Sequence, residues 1–354
     1  MNCIHIQASR SYEVLIGNGL LHHMGNIISG LEGGKPSRAV IVSDDQVFAL
    51  YGAQTAGQLQ QAGIAADPFI FPHGEASKCM SVYEMLLETL SGLRLTRSDL
   101  LVALGGGVTG DLTGFAAATY QRGIRYVQIP TTLLAAVDSS VGGKTAINLQ
   151  HGKNQVGCFY QPSIVICDPE TLRTLPEEEY RNGMSEVIKY GMIGDEAFLS
   201  CLETEDASDW IEDVIRICVM MKRDIVSQDE FDTGKRMLLN FGHTLGHGVE
   251  SCSHYQIPHG IAVAMGMAAM TRAAERKGIC SKGTAERLSK LLACYELPDE
   301  TPYSPEDLAA AAMADKKKSG DQLRIVVPEA AGHCIIQTIP AAELEAWVRA
   351  SGKE

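Results

Sequence analysis

The chain has 354 residues, 45% hydrophobic and 21% charged, which is typical of a folded globular protein of about two domains. Its net charge of −13 argues against a nucleic acid or an anionic membrane as partner, because basic surfaces recognise both. The ten cysteines include no Cys-x-x-Cys pair and the first residues do not resemble a signal peptide, so we expect reduced thiols and a cytoplasmic location.

The first part of the chain predicts strands that alternate with helices. Residues Ile4 to Ile16 form two short alternating runs, typical of a β-hairpin. A buried strand over Arg38 to Asp45, ending in two acids, precedes a helix over Gln46 to Ala62 and a strand over Asp67 to Phe71. At the end of such a strand, Asp44 is placed either to bind a ribose or to cap the following helix.

A glycine-rich turn follows the next predicted strand, Asp99 to Leu104. Residues Gly105 to Gly114 contain Gly-x-Gly-x-x-Gly and lead into a helix of small residues over Phe115 to Tyr120. In that context backbone N–H groups and a helix N-terminus hold a pyrophosphate, which predicts a dinucleotide site. The next strand, Arg125 to Ile129, ends in Pro-Thr-Thr without an acid. Asp44 would therefore have to bind the ribose, and the topology would be non-standard.

A second glycine-rich stretch, Asp138 to Asn148, is followed by Gly152-Lys153-Asn154. Lysines among flexible glycines, here Lys144 and Lys153, suit a phosphate or another oxyanion. The stretch is not a P-loop, because aspartate occupies the position of the first glycine. The alternative is an exposed loop with incidental lysines.

After a strand over Ile164 to Asp168 the pattern becomes almost wholly helical. We therefore expect an α/β domain over residues 1–168 and a helical domain over residues 169–354. The longest apolar run, Ile261 to Met270, is about half the length that a membrane span requires. Near the end of the chain, Leu323 to Val327 and Cys334 to Ile339 predict a hairpin before a final amphipathic helix.

Three histidines stand close together in the helical half. His243 and His247 lie in Asn240-Phe-Gly-His-Thr-Leu-Gly-His-Gly-Val-Glu250, and His259 follows in Ile257-Pro-His-Gly260. Histidines four apart share a helix face, which predicts a divalent metal site unless they cap helices or fill a core. The flanking glycines each lower helix propensity by ~1 kcal/mol, which favours a close approach to the backbone there.

Glu186 and Lys189 lie three residues apart within a predicted helix over Pro176 to Ile193 and share a face. They form either a buried ion pair or part of a site. Glu186 is a natural third metal ligand beside His243 and His259.

Four motifs stand in a fixed order: the Gly105–Gly114 turn, Asp138–Asn148 with Lys153-Asn154, Glu186-x-x-Lys189, and Asn240–His247 with His259. Together they closely resemble the 3-dehydroquinate synthase family of the sugar-phosphate cyclases, over about Asp44 to Lys318. The resemblance implies a Rossmann-like NAD-binding α/β domain of non-standard topology, an all-α C-terminal domain, and an active site enclosed between them. It also implies a homodimeric lyase that converts 3-deoxy-D-arabino-heptulosonate 7-phosphate to 3-dehydroquinate and phosphate, using NAD and one divalent metal, zinc or cobalt.

The resemblance further implies roles for individual residues. The metal ligands would be Glu186, His243 and His259. Contacts to NAD would come from Asp44, Glu75, Lys78, Gly106, Gly107, Val108, Gly110, Asp111, Thr131, Thr132, Lys144, Lys153, Thr171 and Thr174. The substrate-contacting and catalytic residues would be Asp138, Lys144, Lys153, Asn154, Lys189, Lys222, Arg236, Asn240 and His247, joined by one lysine of Lys316–Lys318 and by Arg122, which would reach the phosphate site of the partner subunit.

His247 is expected to transfer a proton, unless it only orients a metal ligand. Three other functions remain open: a sister cyclase acting on glucose 6-phosphate or sedoheptulose 7-phosphate, a metal-dependent polyol dehydrogenase, and a non-catalytic NAD sensor. Lys222, Asn240 and His247 are the combination expected for a substrate carboxylate, which favours the heptulosonate.

Overall fold

A computed structural model of the chain describes residues 1–316 and 321–352. The predicted substrate contact of the Lys316–Lys318 run falls outside the side chains that it describes. The strands are β1 (Asn2–Ile6), β2 (Tyr12–Ile16), β3 (Arg38–Asp44), β4 (Ala65–Phe71), β5 (Leu100–Gly105), β6 (Arg125–Pro130), β7 (Lys144–Leu149), β8 (Gly152–Phe159), β9 (Ile164–Cys167), β10 (Gln322–Ala330) and β11 (His333–Pro340). The α-helices are α1 (Met24–Ser29), α2 (Asp45–Val47), α3 (Ala53–Gln61), α4 (Met80–Gly92), α5 (Gly107–Thr119), α6 (Glu177–Gly194), α7 (Glu196–Thr204), α8 (Ile211–Val226), α9 (His243–Cys252), α10 (His259–Arg276), α11 (Thr284–Cys294), α12 (Pro305–Lys316) and α13 (Leu344–Arg349).

Seven of these strands form one sheet in the order β1-β2-β9-β6-β5-β3-β4. The pairings are parallel except that of β1 with β2, the predicted N-terminal hairpin. Every residue of β5 and β6 is buried, as expected for central strands covered by helices on both faces. Apolar residues of α1 and α3 pack on one face of the sheet, and those of α4 and α5 on the other.

The strand order reverses beside β3 and β5. The chain runs from β3 outward to β4 and then returns to β5 on the other side of β3. Parallel α/β sheets bind ligands at the carboxyl ends of strands where such a reversal occurs. Asp44 at the end of β3 and Gly105 at the end of β5 therefore share this edge. The predicted non-standard topology is confirmed, because β3 and not β6 brings an acid beside the glycine turn.

A second hairpin, β7 with β8, was not predicted from the sequence. The stretch read as a glycine-rich loop contains an antiparallel pair that runs from Lys144↔Phe159 to Leu149↔Gly152, with a register shift at Asn148. Residues Thr145 to Ile147 are buried, and the hairpin contacts α5. Lys144 and Lys153, the lysines predicted to bind an oxyanion, therefore lie on paired strands rather than in a loop.

The chain divides into two compact units, Met1–Pro176 with Ile211–Glu230 and Glu177–Trp210 with Phe231–Glu354. This division differs from the predicted boundary at residue 168, because the first unit extends to Pro176 and includes α8. Helix α8 contacts β1 and β2, and its buried residues include Val214, Ile215, Cys218 and Val219. A sequence pattern shows that a helix is amphipathic but not which core it joins.

In the residues that the structure describes, the second unit is helical apart from one hairpin. Strands β10 and β11 pair antiparallel before α13, which confirms the hairpin predicted for the tail of this helical domain. Helix α9 packs against both α10 and α12. Within residues 1–316 and 321–352, no helix is both long and apolar enough to cross a membrane.

Candidate active site

Three potential metal ligands meet in the second unit. Glu186 lies on α6, His243 is the first residue of α9 and His259 the first of α10. One ligand atom from each lies within 4.8 Å of the others. Glu186 Oε1 is 3.7 Å from Nε2 of His243 and 3.4 Å from Nε2 of His259. One carboxylate and two imidazoles, with a coordination position left for substrate, are the donors of a catalytic zinc site, so these residues fit a divalent metal.

The surroundings of the two histidines direct their Nε2 atoms towards Glu186. His243 Nδ1 donates to the carbonyl oxygen of Phe241 at 3.1 Å, which fixes the tautomer. Burial lowers the pKa of His243 to about 3, so its imidazole is neutral and able to ligate. Burial also opposes charge on His259, but the carboxylates of Glu186 and Glu250 outweigh it and raise the pKa of His259 to about 10.

Glu250 also belongs to this site, although no motif in the sequence predicts a role for it. It lies on α9, its residue is 2% exposed, and its Oε2 is 3.3 Å from Nδ1 of His259. A carboxylate on the second nitrogen of a ligating imidazole orients the ring and makes it more basic. In the sequence, the feature that could have indicated this role is a single acid in an apolar helix, three residues after His247.

Two tight contacts fix α10 against α6 at the metal ligands. Pro258 precedes α10 and offers no side-chain cap, and instead Asn182 Oδ1 accepts from the Gly260 N–H at 2.5 Å. A Cβ on Gly260 would lie 1.9 Å from the Asn182 carbonyl oxygen, so only glycine allows this approach. Asn182 and Glu186 are one helical turn apart on α6, and His259 adjoins Gly260. The backbone contact therefore sets the spacing of Glu186 and His259.

The glycines beside His243 and His247 allow close helix packing. A Cβ on Gly246 would lie 3.1 Å from the Ala262 carbonyl oxygen of α10, and one on Gly248 would lie 3.1 Å from the Leu308 carbonyl oxygen of α12. Gly242, with φ of +79°, begins the turn into α9. The glycines in the sequence predict that something approaches the α9 backbone closely, and the structure shows that helices α10 and α12 do so.

Lys189 and His247 contact these ligands, and two further predicted substrate residues lie on a segment that contacts α6. Lys189 pairs with Glu186 Oε2, and both side chains are 1% exposed. Arg236 is 2% exposed and lies with Asn240 on a 3-10 segment that contacts α6. The ring centroid of His247 is 5.5 Å from that of His243 and 6.1 Å from that of His259. Burying cations is costly, and such burial is expected where an anionic ligand binds.

In the first unit, the glycine turn ends β5 and begins α5. Gly106 precedes the helix without a side-chain cap, so the first N–H groups of α5 are available for an anion. A Cβ on Gly106 would lie 3.0 Å from Thr132 Cγ2, and one on Gly110 would lie 2.6 Å from Gln128 Oε1. Thr131 follows β6, and its N–H donates to the carbonyl oxygen of Gly105 at 3.1 Å. This close backbone packing fits a dinucleotide pyrophosphate.

Asp44 caps the helix that follows β3, which was the alternative reading of this residue. Its Oδ1 accepts from the Gln46 N–H at 3.1 Å and from the Val47 N–H at 2.9 Å. Both bonds end on Oδ1, so the cap is compatible with a ribose hydroxyl on Oδ2. The ribose contact stays a prediction.

A polar network joins three predicted contact regions of the first unit. Lys78, which is 5% exposed, pairs with Asp111 of α5 and donates to Asn154 Oδ1 at 2.6 Å. Burial raises the pKa of Asp111, and the neighbouring Lys78 ammonium opposes that rise. Glu75 Oε1 accepts from Asn148 Nδ2 at 2.6 Å. Residues predicted to bind NAD thus touch a residue predicted to bind substrate.

Lys222 and Asp138 form a second pair of predicted substrate residues. Lys222 on α8 donates to the Asp138 carbonyl oxygen at 2.7 Å and to its Oδ1 at 2.9 Å. The residue is 5% exposed. Lys222 reaches the Asp138 turn because α8 packs within the first unit.

Several other predicted contact residues lie in the hairpin and turns of the first unit. Lys144 begins β7 and is exposed, and Lys153 on β8 is half-buried. Tyr51 Oη donates to the Thr171 carbonyl oxygen at 3.2 Å and lies 2.5 Å from Thr174 Oγ1, which holds that turn. Arg122 is exposed in a turn with φ of +63°, and its reach into a partner subunit stays a prediction.

An α/β unit with a glycine turn at a strand-order reversal, and a helical unit with a Glu–His–His cluster, define an enzyme of the class that uses a dinucleotide and a divalent metal. The family models for the 3-dehydroquinate synthase N-terminal and C-terminal regions match residues 68–182 and 183–318. The chain belongs to the 3-dehydroquinate synthase family, which confirms the family predicted from the four motifs.

Curated relatives and solved structures agree with this assignment. The 3-dehydroquinate synthase of Enterococcus faecalis is 43% identical over 350 residues, 97% of each chain, and that of Lactococcus lactis subsp. cremoris is 42% identical over 348 residues, 96% of this chain and 97% of the relative. A crystal structure of 2-deoxy-scyllo-inosose synthase with carbaglucose-6-phosphate, NAD⁺ and Co²⁺ matches with a TM-score of 0.88 at 26% identity, covering 99% of this chain and 100% of that one. A 2-epi-5-epi-valiolone synthase from Streptomyces hygroscopicus subsp. jinggangensis with NAD⁺ and Zn²⁺ bound matches with a TM-score of 0.87 at 26% identity over 98% of each chain.

Proposed function

We propose that the protein converts 3-deoxy-D-arabino-heptulosonate 7-phosphate to 3-dehydroquinate and inorganic phosphate, a step of the shikimate pathway towards chorismate and the aromatic amino acids. The observation that carries this proposal is the Glu186–His243–His259 cluster, in which the buried Lys189 pairs with Glu186. Identity of 43% to a 3-dehydroquinate synthase, against 26% to two sister cyclases, supports the choice of substrate. We further propose that the enzyme is a cytoplasmic homodimer.

The chain's own residues would bind and orient the reactants. Glu186, His243 and His259 hold the metal, while Glu250 and the Phe241 carbonyl oxygen keep the two imidazoles in the ligating orientation. The glycine turn and the α5 N-terminus bind the pyrophosphate of NAD. When bound, the metal would supply Lewis acidity to a substrate hydroxyl, and NAD would supply reversible hydride transfer at the carbon that bears this hydroxyl.

Positive side chains reconcile a chain of net charge −13 with a highly anionic substrate. Lys189 and Arg236 are buried in the second unit, so an oxyanion would meet them away from bulk water, where charge-assisted hydrogen bonds are strong. Lys222 is buried in the first unit and keeps its predicted role as a contact to the substrate carboxylate. Asn240 would donate its side-chain N–H to the substrate carboxylate. Phosphate leaves by β-elimination, in which a proton is lost from the carbon that lies between the new ketone and the carbon bearing the phosphate.

We assign His247 to proton transfer in the later ring opening and aldol closure. It lies next to the metal ligands on α9 and is half-buried, as expected for a side chain that meets substrate. The substrate phosphate can itself take the proton lost in the elimination, which reduces the need for a protein base at that step. Zn²⁺ and Co²⁺ both suit the carboxylate and imidazole donors.

Phosphate release from the heptulosonate with substoichiometric NAD tests this function. We expect many turnovers per NAD, no accumulation of NADH, and loss of activity when a chelator removes the metal, restored by Zn²⁺ or Co²⁺. NADH formed in proportion to product would indicate a dehydrogenase instead. If the protein turns over glucose 6-phosphate or sedoheptulose 7-phosphate but not the heptulosonate, it is a sister cyclase. Failure to bind metal even after zinc supplementation would favour an NAD sensor.

Glu250→Gln is expected to weaken metal affinity about 10- to 100-fold, since loss of a carboxylate partner on a ligating imidazole has effects of that size. The amide keeps the shape and a neutral contact to His259 Nδ1 but loses the charge. Competition with a chromophoric chelator measures the affinity. The exposed Glu345 of α13, changed to glutamine, is the matched control, and equal affinity in both variants would contradict the role of Glu250.

A further inference from the structure

Asn148 lies where the β7–β8 hairpin meets the turn that carries Glu75 and Lys78. We propose that Asn148 is a positioning residue that fixes the Lys153–Asn154 segment to this turn, and so sets the substrate-binding side chains relative to bound NAD. This inference rests on the proposed function, because it takes Glu75 and Lys78 as cofactor contacts and Asn154 as a substrate contact.

Three hydrogen bonds from Asn148 define its position. Its backbone N–H donates to the Lys78 carbonyl oxygen at 2.8 Å, and its Nδ2 donates to Glu75 Oε1 at 2.6 Å. Its Oδ1 accepts from the Asn154 N–H at 2.9 Å. A carboxylate only accepts and a backbone N–H only donates, so these partners also fix which way the amide points. The Asn148 side chain thus joins the turn that carries Glu75 and Lys78, here called the cofactor turn, to the Lys153–Asn154 segment of β8.

The bond to Asn154 holds an unusual backbone conformation. Asn154 has φ of +55°, in the left-handed region, which asparagine adopts more often than most residues other than glycine. In this conformation its Oδ1 accepts from Lys78 Nζ at 2.6 Å. Asn148, Asn154 and Lys78 therefore close a ring of hydrogen bonds, and Lys78 extends it to Asp111 of α5.

The hairpin itself does not depend on the Asn148 side chain. The ladder pairs Lys144 with Phe159, Thr145 with Cys158 and Ile147 with Val156, whereas Asn148 stands at the register shift and faces Cys79. Its side chain is half-buried and its bonds run to Glu75 and Asn154. Loss of the amide should release Asn154 and the cofactor turn without unfolding the strands.

Asn148→Ala and Asn148→Asp separate the two side-chain bonds. Asn148→Ala removes both, and we expect the dissociation constant of NAD and the KM of the heptulosonate each to rise about tenfold, since a hydrogen bond to a charged group has an effect of this size. Asn148→Asp keeps an acceptor for Asn154 but places a second carboxylate beside Glu75. NAD binding should then weaken at least as much as in Asn148→Ala, while the KM stays nearer the unmodified value. Gln150→Ala, which removes an exposed amide from the same hairpin, should change neither constant.

The design distinguishes this inference from the proposed function. If the unmodified protein binds no NAD or releases no phosphate, the function fails before any variant is compared. If it is active and both Asn148 variants keep its NAD affinity and KM within about twofold, the positioning role is overturned. A lower melting temperature with a reduced kcat but unchanged NAD affinity and KM would show a purely structural role and would also overturn it.

Discussion

His259→Ala is expected to remove the bound metal and to lower kcat/KM by about a thousandfold or more. A metal ion supplies several kcal/mol of transition-state stabilisation, and two remaining ligands hold it poorly. The fold should stay near intact, because His259 is the first residue of α10 and alanine favours the helix. Metal content by elemental analysis, together with phosphate release, measures both effects.

His333→Ala is the control for this experiment. His333 belongs to the same unit, its side chain is 66% exposed on β11, and it is in neither group of potential metal ligands among the described residues. It should keep full metal content and activity. A His259→Ala protein with one tightly bound metal per chain would remove His259 from the ligands.

Gly260→Ala is expected to destabilise the second unit by about 1–3 kcal/mol and to weaken metal binding, because an added methyl must force α10 away from α6. The new Cβ would lie 1.9 Å from the Asn182 carbonyl oxygen and 2.4 Å from Ser185 Oγ, neither of which is the end of a long flexible side chain. Any separation of the two helices also separates His259 from Glu186. Urea unfolding and chelator competition report the two effects.

Gly57→Ala is the matched control, since Gly57 is also helical but has no atom within 4 Å of an added Cβ. It should stabilise the protein by about 0.5–1 kcal/mol through helix propensity alone. If Gly260→Ala behaves like Gly57→Ala, the close contact of α10 with α6 does not set the metal site.

Much of the fold follows from the periodicity of the sequence. The strands at Arg38 and Leu100 are continuous apolar runs, and the helix at Glu177 has a clear 3.6-residue pattern, so their order and type were predictable. The β7–β8 hairpin was missed because glycines and lysines interrupt its alternation. Helix α8 was predicted as a helix but given to the other unit, because its apolar stripe would suit either core.

The site shows the same division between local and distant information. Glu186, His243 and His259 carry motifs whose residue types and spacing indicate their chemistry, and the structure brings them within ligand distance. Glu250, Asn182 and Asn148 act through other residues, so their importance lies in three-dimensional contacts that no spacing reveals. Asp44 illustrates a real ambiguity, because the end of one strand serves both as a helix cap and as a candidate ribose contact.

The membership of α8 in the first unit has a practical consequence for dissecting the protein. The polypeptide leaves that unit after Pro176, returns for Ile211–Glu230 and leaves again. No single cut in the gene can therefore yield a fragment that is the whole nucleotide-binding half, since a product ending at Pro176 lacks Lys222, the partner of Asp138. Expressing that half alone would require splicing α8 back onto it through a linker.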